Sequence, residues 1–576
     1  MEPIPATPRT TDSTAAAAIP APPIAIDPRA RAEILVAILL ALFLSALDQT
    51  IVGTAMPTIV TDLSGNALYT WVVTIYLLTS TITGPIYGKL SDQFGRRKPL
   101  MFGVTLFLIG SFLCGLAQDM NQLILFRGIQ GLGAGAIFPI ALAVIGDLFT
   151  PQERGKHQGL FGAVFGISAL IGPALGGFLT DQVSWHWVFF VNIPIGIVAL
   201  AIMYRLLPRH QRTGVTRTID YLGVAVFSAA MIPILIGITN SQFHDFMDPW
   251  VGGLIVVGLV LAGVFVWVES RAKEPIMPLD LFRNRTYSVS ILAAFLASFG
   301  FFGAIIFLPR WYQVVNGSTA TESGYQLLPL LGGLILGSIL SGQFVSRTGR
   351  YKWLTVGALV LLSGSLLLMT GLHADTPPQL LWVWQFLAGL GIGPSLAVFT
   401  IIVQNSVPWQ KLGAATSGLT FFRQIGGTIG LALAGAIFGA TLQSQAPVQI
   451  SAELVRAGVP QPQIDQIAGQ ISGGALNLDD LSAVGDMGAR ILAQLPEAAR
   501  ALVEPLVPAI VDGIHEAFSL AIANTLWLSV AATLIAAAAV LTLREVPLRT
   551  TLRSESPAAA ASPDSAGLPA TDQATG

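Results

Sequence analysis

The sequence predicts an all-α integral membrane protein of fourteen transmembrane helices. Three observations predict it. Hydrophobic residues make up 53% of the 576 positions and charged residues only 11%, against about 25% charge in a soluble domain, and the mean hydropathy is +0.69. Apolar runs of about 20 residues, long enough to cross hydrocarbon as helix, recur fourteen times. Lysine and arginine are distributed unevenly between the segments that join them.

The runs lie near 34–56, 70–88, 100–118, 121–148, 159–180, 186–207, 219–239, 249–268, 288–311, 324–345, 353–371, 379–404, 412–441 and 517–542. An even number puts both termini on one face. Of the 30 Lys and Arg, 24 fall in the tails and loops of that face. Only Arg456, Arg490 and Arg500 fall on the opposite face, while Arg127, Arg310 and Arg423 lie within or at the ends of spans. The positive-inside rule makes the face with the termini cytoplasmic. Segments 1–33 and 546–576, rich in Ala, Pro, Ser and Thr, read as disordered cytoplasmic tails, with no signal-peptide core in the first.

Composition also excludes functions. A net charge of −2 argues against a nucleic-acid partner. Cys114 is the lone cysteine, so neither an intrachain disulfide nor a multi-thiolate metal site is expected; it reads as a small buried hydrophobe. The six histidines have no metal-ligand spacing, and no phosphate-cradling G-x-x-x-x-G-K-[ST] loop is present. No enzyme, metal or cofactor is expected.

In order, span 1 carries Asp48, the one carboxylate well inside any span, within Leu47-Asp48-Gln49-Thr50. A charge at such depth is costly and usually functional. Between spans 2 and 3 lies a charged island, Gly88-Lys89-Leu90-Ser91-Asp92-Gln93-Phe94-Gly95-Arg96-Arg97-Lys98-Pro99-Leu100. Its glycines permit close approach and a left-handed turn, and Asp92 suits a helix N-terminus or a nearby arginine. Span 4 carries Arg127 in Leu125-Phe126-Arg127-Gly128-Ile129-Gln130. At about 1.5 Å per residue, Asp48 and Arg127 each lie about 9 Å inside the outer boundary. Span 5 contains Gly172-Pro173-Ala174-Leu175-Gly176-Gly177, small residues for close helix approach around a bend-prone proline.

Span 6 opens with Trp185-His186-Trp187-Val188-Phe189-Phe190-Val191-Asn192-Ile193-Pro194, and span 9 ends with Phe307-Leu308-Pro309-Arg310-Trp311-Tyr312-Gln313. Trp311 and Tyr312 are expected as interfacial anchors and Arg310 as a snorkelling cation. After span 10 the island recurs: Gly88, Gly95, Arg96 and Lys98 become Gly342, Gly349, Arg350 and Lys352, with Ser346 for Asp92. Gly131, Gly133 and Gly135 of span 4 recur as Gly389, Gly391 and Gly393 of span 12, with Gln385 for Arg127. Two related six-helix halves, 34–208 and 274–545, therefore flank an extra pair of spans in 209–273.

Arg423 of span 13 lies near mid-membrane with no carboxylate of the second half at its depth, so it needs a partner or water. Gln49, Gln130, Arg423 and Gln424 are candidates to line a central substrate cavity. Segment 442–516 is far longer than an ordinary loop. Its acidic residues, with apolar spacing at Ile491, Leu495 and Ala499, suggest short amphipathic helices in a solvated cap, a docking platform for a periplasmic partner, or a vestibule for lipid-like substrates.

The order G-x-L-x-D-x-x-G-R-R-x-x-L in the island resembles the signature loop of the major facilitator superfamily. Gly172 through Gly177 resembles the G-P-x-x-G-G motif of its antiporter branch. Trp185–Pro194 and Phe307–Gln313 resemble the 14-helix drug:proton antiporters, which commonly have Arg in place of His186. The resemblance covers about 34–441 and 517–542. It implies an inner-membrane transporter that exports hydrophobic or amphipathic small molecules by rocking two halves about a central cavity. No cofactor is implied; the proton gradient supplies the energy. Asp48 would carry the proton, and Arg127, brought near it by the fold, would set how readily it does so. Gly88, Asp92, Gly95, Arg96, Arg97 and Lys98 would latch the outward-open state, and Gly172, Pro173, Gly176 and Gly177 would restrict leak. The alternatives are a lipid or glycolipid exporter of the same fold, favoured by Arg423 and the long outer segment, and a scaffold or sensor without transport.

Overall fold

The computed structural model describes residues 27–63, 68–207, 219–241, 247–464, 487–494, 500 and 503–548. Among these the chain is helical, without strands. Its long helices are α1 (Pro28–Asp62), α2 (Tyr69–Phe94), α3 (Arg97–Cys114), α4 (Met120–Leu148), α5 (Pro151–Gln182), α6 (Asn192–Leu206), α7 (Tyr221–Asn240), α8 (Leu254–Glu269), α9 (Arg285–Val314), α10 (Leu328–Thr348), α11 (Lys352–Met369), α12 (Pro378–Ser406), α13 (Leu412–Arg456) and α14 (Val507–Leu541). Among the described residues 13 helical segments are long and apolar enough to cross a membrane, each built on one of these helices, with α2 the exception. Helix α2 has the length, 26 residues, but is diluted by Thr74, Thr79, Ser80, Thr81 and Thr83. Such hydroxyls are tolerated because they bond back to their own helix: Thr79 donates to the Ile75 carbonyl and Thr83 to the Thr79 carbonyl, both at 2.8 Å.

The first six helices close on one another, α4 packing on α2 and α3, and α1 on α5 and α6. The last six repeat this, α12 packing on α10 and α11, and α14 on α9, α11 and α13. The glycine repeat explains the likeness. A Cβ on Gly131 or Gly135 would sit 2.5 Å from the Tyr76 or 2.6 Å from the Ser80 carbonyl oxygen of α2, and one on Gly133 2.3 Å from the Phe107 nitrogen of α3. On α12, a Cβ on Gly389 or Gly393 would meet the Leu330 or Leu334 carbonyl oxygen of α10 at 2.0 and 2.5 Å, and one on Gly391 the Leu362 nitrogen of α11 at 2.6 Å. Bare backbone lets each central helix seat between two neighbours. Helices α7 and α8 pair with each other and α7 leans on α2 and α13, where Phe227, Phe265 and Met277 share a core with Leu78, Ile82 and Phe421.

Two boundaries differ from the sequence reading. Helix α13 continues through 45 residues to Arg456, and α14 begins at Val507, so both extend past the spans. A buried stripe at every fourth position, Leu442, Ala446, Ile450 and Leu454, keeps α13 helical there. It packs on Ile510, Ile514 and Gly513, where a Cβ would stand 2.5 Å from the Ile450 Cα. Ile464, Met487, Ile491 and Val503 join this core. The described part of 442–516 is thus a helical extension with an apolar interior; Glu504 and Asp512 are exposed on its outside. Of the suggested amphipathic stretch, Ile491 lies in the helix Met487–Gln494, while Leu495 and Ala499 lie outside the described residues. Trp311 and Tyr312 are not interfacial anchors. Both are buried: the Trp311 indole donates to Ser519 Oγ at 2.9 Å, and Gln385 Nε2 donates to the Tyr312 hydroxyl at 2.8 Å.

Candidate functional site

Asp48 and Arg127 meet. Arg127 Nη1 donates to Asp48 Oδ2 at 2.6 Å, and both side chains are essentially without solvent exposure, 0% and 1% by residue. One turn on from Arg127, on the same face of α4, Gln130 donates through Nε2 to Asp48 Oδ1 at 2.7 Å and accepts from Arg127 Nη1 at 2.8 Å. Asn192, at the start of α6, gives its Nδ2 to Asp48 Oδ1 and to Ser111 Oγ, each at 3.0 Å. Ser111 in turn donates to the Phe189 carbonyl at 2.8 Å. The Arg127 guanidinium lies over the Tyr76 ring, 4.2 Å from its centroid. Taking two charges out of water is repaid only when their remaining hydrogen-bonding capacity is filled. Here the carboxylate, which only accepts, receives three donors, while Arg127 Nε is buried without a hydrogen-bond partner among the described residues.

Sequence reasoning found Asp48 and Arg127 but missed Tyr76, Ser111 and Asn192. A signal was available for Asn192, an amide inside an apolar run that needs a partner once buried. Gln130, expected in the substrate cavity, is instead fully buried in this network. Cys114 stands beside it, its Sγ 3.7 Å from Gln130 Oε1. Gln49 is exposed halfway along α1, although its helix neighbours Leu47, Asp48 and Ile51 are buried.

The island forms a second charged constellation, between the halves. Asp92, near the end of α2, accepts at the N-terminus of α13: the Gly413 and Ala414 amides lie 2.9 and 2.8 Å from its two oxygens. Unpaired first-turn amides and the helix dipole make that end attractive to a carboxylate. Arg96 donates to Asp92 Oδ1 at 2.6 Å and to Asp147 Oδ2 of α4 at 2.7 Å, so it ties α2 to α4 while fixing the carboxylate. Burial works against charge on Arg96, but Asp147 and Asp92 outweigh it and raise its proton affinity. Gly88 allows the approach, since a Cβ there would lie 2.1 Å from Ser417 Oγ. Gly95 takes φ +82°, open to glycine at little cost. Arg97 caps the end of α6, donating to the Tyr204 and Leu207 carbonyls, and Lys98 is exposed. On the same face Arg154 of α5 donates to Gln404 Oε1 of α12 at 3.3 Å, and Gln404 to the Leu142 carbonyl of α4 at 3.0 Å.

The span 5 motif lies against α1. A Cβ on Gly172 would meet Thr50 Oγ1 at 2.1 Å and one on Gly176 the Ile51 carbonyl oxygen at 2.9 Å, whereas Gly177 has open space around it. Thr50 also donates to the Ser168 carbonyl at 3.0 Å. Pro173 is half-buried inside the continuous helix. Arg423, half-buried on α13 beside half-buried Gln424, donates to the Ser395 carbonyl of α12 at 3.3 Å; among the described residues no carboxylate pairs with it.

The family model described as Major Facilitator Superfamily matches residues 38–431. The chain is 38% identical to the multidrug transporter protein MdtP of Bacillus subtilis over 497 residues, covering 85% of this chain and 90% of that one. It is 34% identical to multidrug resistance protein 3 of the same organism over 493 residues, covering 85% and 92%. An uncharacterized MFS-type transporter of Mycobacterium tuberculosis is 35% identical over 540 residues, covering 94% and 73%. Among solved structures, the human organic anion transporter MFSD10 superposes with a TM-score of 0.54 at 14% identity, covering 71% of this chain and 94% of that one, a likeness of fold.

Proposed function

The chain belongs to the major facilitator superfamily of membrane transporters, and on that premise we propose that it is a proton-coupled exporter of hydrophobic or amphipathic small molecules. The observation that carries this reading is the buried Asp48–Arg127 pair with its added donors, Gln130 and Asn192. Arg127, Gln130 and Asn192 all donate to Asp48. A proton taken up by Asp48 removes the negative charge that holds Arg127, so uptake favours withdrawal of Arg127 from its buried pair, and withdrawal requires the helices to move. Proton binding and conformational change are then one event, which is what exchange of a proton for a substrate demands. The multidrug relatives support the substrate class.

In this reading the face bearing the termini is cytoplasmic, and Asp92 on the α13 N-terminus latches that face shut, leaving the substrate path open outward. Exposed Gln49, with Arg423 and Gln424, borders a watered cavity between the halves, and Gly172, Pro173 and Gly176 seal α5 against α1. Arg423 favours a second reading, an exporter of lipid-like molecules with an anionic or zwitterionic headgroup, because a half-buried cation with no paired carboxylate among the described residues suits an acidic group.

The experiment is substrate-induced proton movement in proteoliposomes, wild type beside Asp48→Asn, over lipophilic cations and lipid-like anions. Proton movement that vanishes in Asp48→Asn supports the assignment. Proton-driven export intact in the variant removes Asp48 from the role, and a response to lipid-like compounds alone selects the second reading.

A further inference from the structure

A pair of carboxylates lies apart from Asp48, at the ends of α7 and α8 beside the charged island. Asp220 caps α7, its Oδ1 accepting from the Gly223 amide at 2.8 Å, while Oδ2 is buried without a partner among the described residues. Glu269 ends α8 and is 2% exposed. Its Oε1 accepts from the Met277 amide at 2.5 Å, and its Oε2 is likewise buried without a partner. Both unpartnered oxygens face the space beside Gly223: a Cβ there would sit 2.4 Å from Asp220 Oδ2 and 3.0 Å from Glu269 Oε2, so the missing side chain of Gly223 leaves room for both.

Carboxylate oxygens only accept, and two that converge out of water repel unless something positive lies between them. Among the described residues the charged groups that bear on Glu269 are Asp220 and Lys89 of α2. Lys89 is already engaged by Glu274 at 2.7 Å. We propose that Asp220 and Glu269 share one proton, carried on Glu269 Oε2 and donated to Asp220 Oδ2, and so form a second proton-binding site of this protein. The site is placed to act on the island. By accepting from Met277, Glu269 folds the 270–277 linker back beneath α8, and the same linker holds Glu274 on Lys89. Loss of the shared proton at alkaline pH sets the two carboxylates against each other and loosens that linker from the end of α2.

The test is infrared difference spectroscopy between acidic and alkaline buffer on the full chain in lipid, in an Asp48→Asn background that leaves Asp92 as the other fully buried acid among the described residues. The expected result is a protonated-carboxyl band that is lost in Glu269→Gln and shifted in Asp220→Asn. A band unchanged in both variants overturns the proposal, as does a parent protein with no such band. A parent without the band whose melting temperature rises with added sodium or magnesium would place a metal cation there instead and also overturns it. Should Glu269→Gln fail to fold, Gly223→Ala decides: it keeps both acids and sets a methyl group against both oxygens, so the band must shift, and an unmoved band refutes the shared proton.

Discussion

Substituting Asp92 by Asn removes one carboxylate acceptor and the negative charge that faces the first turn of α13. Both Asp92 oxygens are committed there, to Gly413 and Ala414 at 2.9 and 2.8 Å, and Arg96 fixes one of them at 2.6 Å. A hydrogen bond to a charged group contributes about 1.5–3 kcal/mol, and a carboxylate at a helix N-terminus about 0.3–1 kcal/mol. Asparagine keeps one acceptor, so the loss is about 2–4 kcal/mol. At about 1.4 kcal/mol per factor of ten, the balance between closed and open arrangements of this face shifts by roughly 30- to 700-fold. The probe is Ser346→Cys in a Cys114→Ala background. Ser346 is 5% exposed, and a Cβ on Gly155 of α5 would stand 3.1 Å from its Cβ. Labelling by a water-soluble maleimide therefore reports separation of α5 from α10. The rate is expected to rise at least about 30-fold when Asp92→Asn is added. A change under about threefold would mean that Asp92 does not hold the halves together.

Three further outcomes follow from the packing. Asn192→Leu deprives Asp48 and Ser111 of a donor inside a sealed site, which costs about 1–3 kcal/mol; proton-coupled transport should fall, while Asn192→Asp should not restore it, checked by substrate-driven proton flux. Gly172→Val drives methyl groups into Thr50 and should lower stability by about 1–3 kcal/mol, read as a lower midpoint in thermal unfolding of the purified protein, whereas Gly177→Ala, with nothing within 4 Å, should leave it unchanged. Arg423→Gln should weaken export of anionic amphiphiles and spare lipophilic cations, measured as the ratio of the two transport rates; equal loss of both would make Arg423 a structural residue.

The fold was legible because lipid imposes one code on every span, apolar length, and because the two halves repeat. Arg127 and Gln385 show where that legibility ended. They occupy matching places in the glycine repeat, yet one closes an ion pair with Asp48 and the other a neutral bond to the Tyr312 hydroxyl. The pattern gave the position, and the partner had to come from another helix. Asn192 and Tyr76 went unread for the same reason, since nothing local distinguishes an amide or phenol that meets a charge from one that meets a carbonyl. The α13 extension was hidden differently. Its stripe of Leu442, Ala446, Ile450 and Leu454 is amphipathic rather than wholly apolar, so a criterion tuned to lipid ended the helix where the hydrocarbon does.

The two charged constellations share two helices. Tyr76 and Asp92 both lie on α2, and Arg127 and Asp147 both lie on α4. Between them Gly131 and Gly135 bring α4 directly against the α2 backbone. We infer that release of Arg127 by a proton on Asp48 moves α2 and α4 as one body, so that the Asp92 contact with α13 feels it. A double-mutant cycle reads this directly. If the sites communicate, the effects of Asp48→Asn and Asp92→Asn on labelling of Ser346→Cys depart from additivity by more than about 0.5 kcal/mol, the margin within which independent sites add. Additive effects would leave the proton site and the latch as separate devices on a common scaffold, and coupling would then have to run through the α1–α5 seam at Gly172.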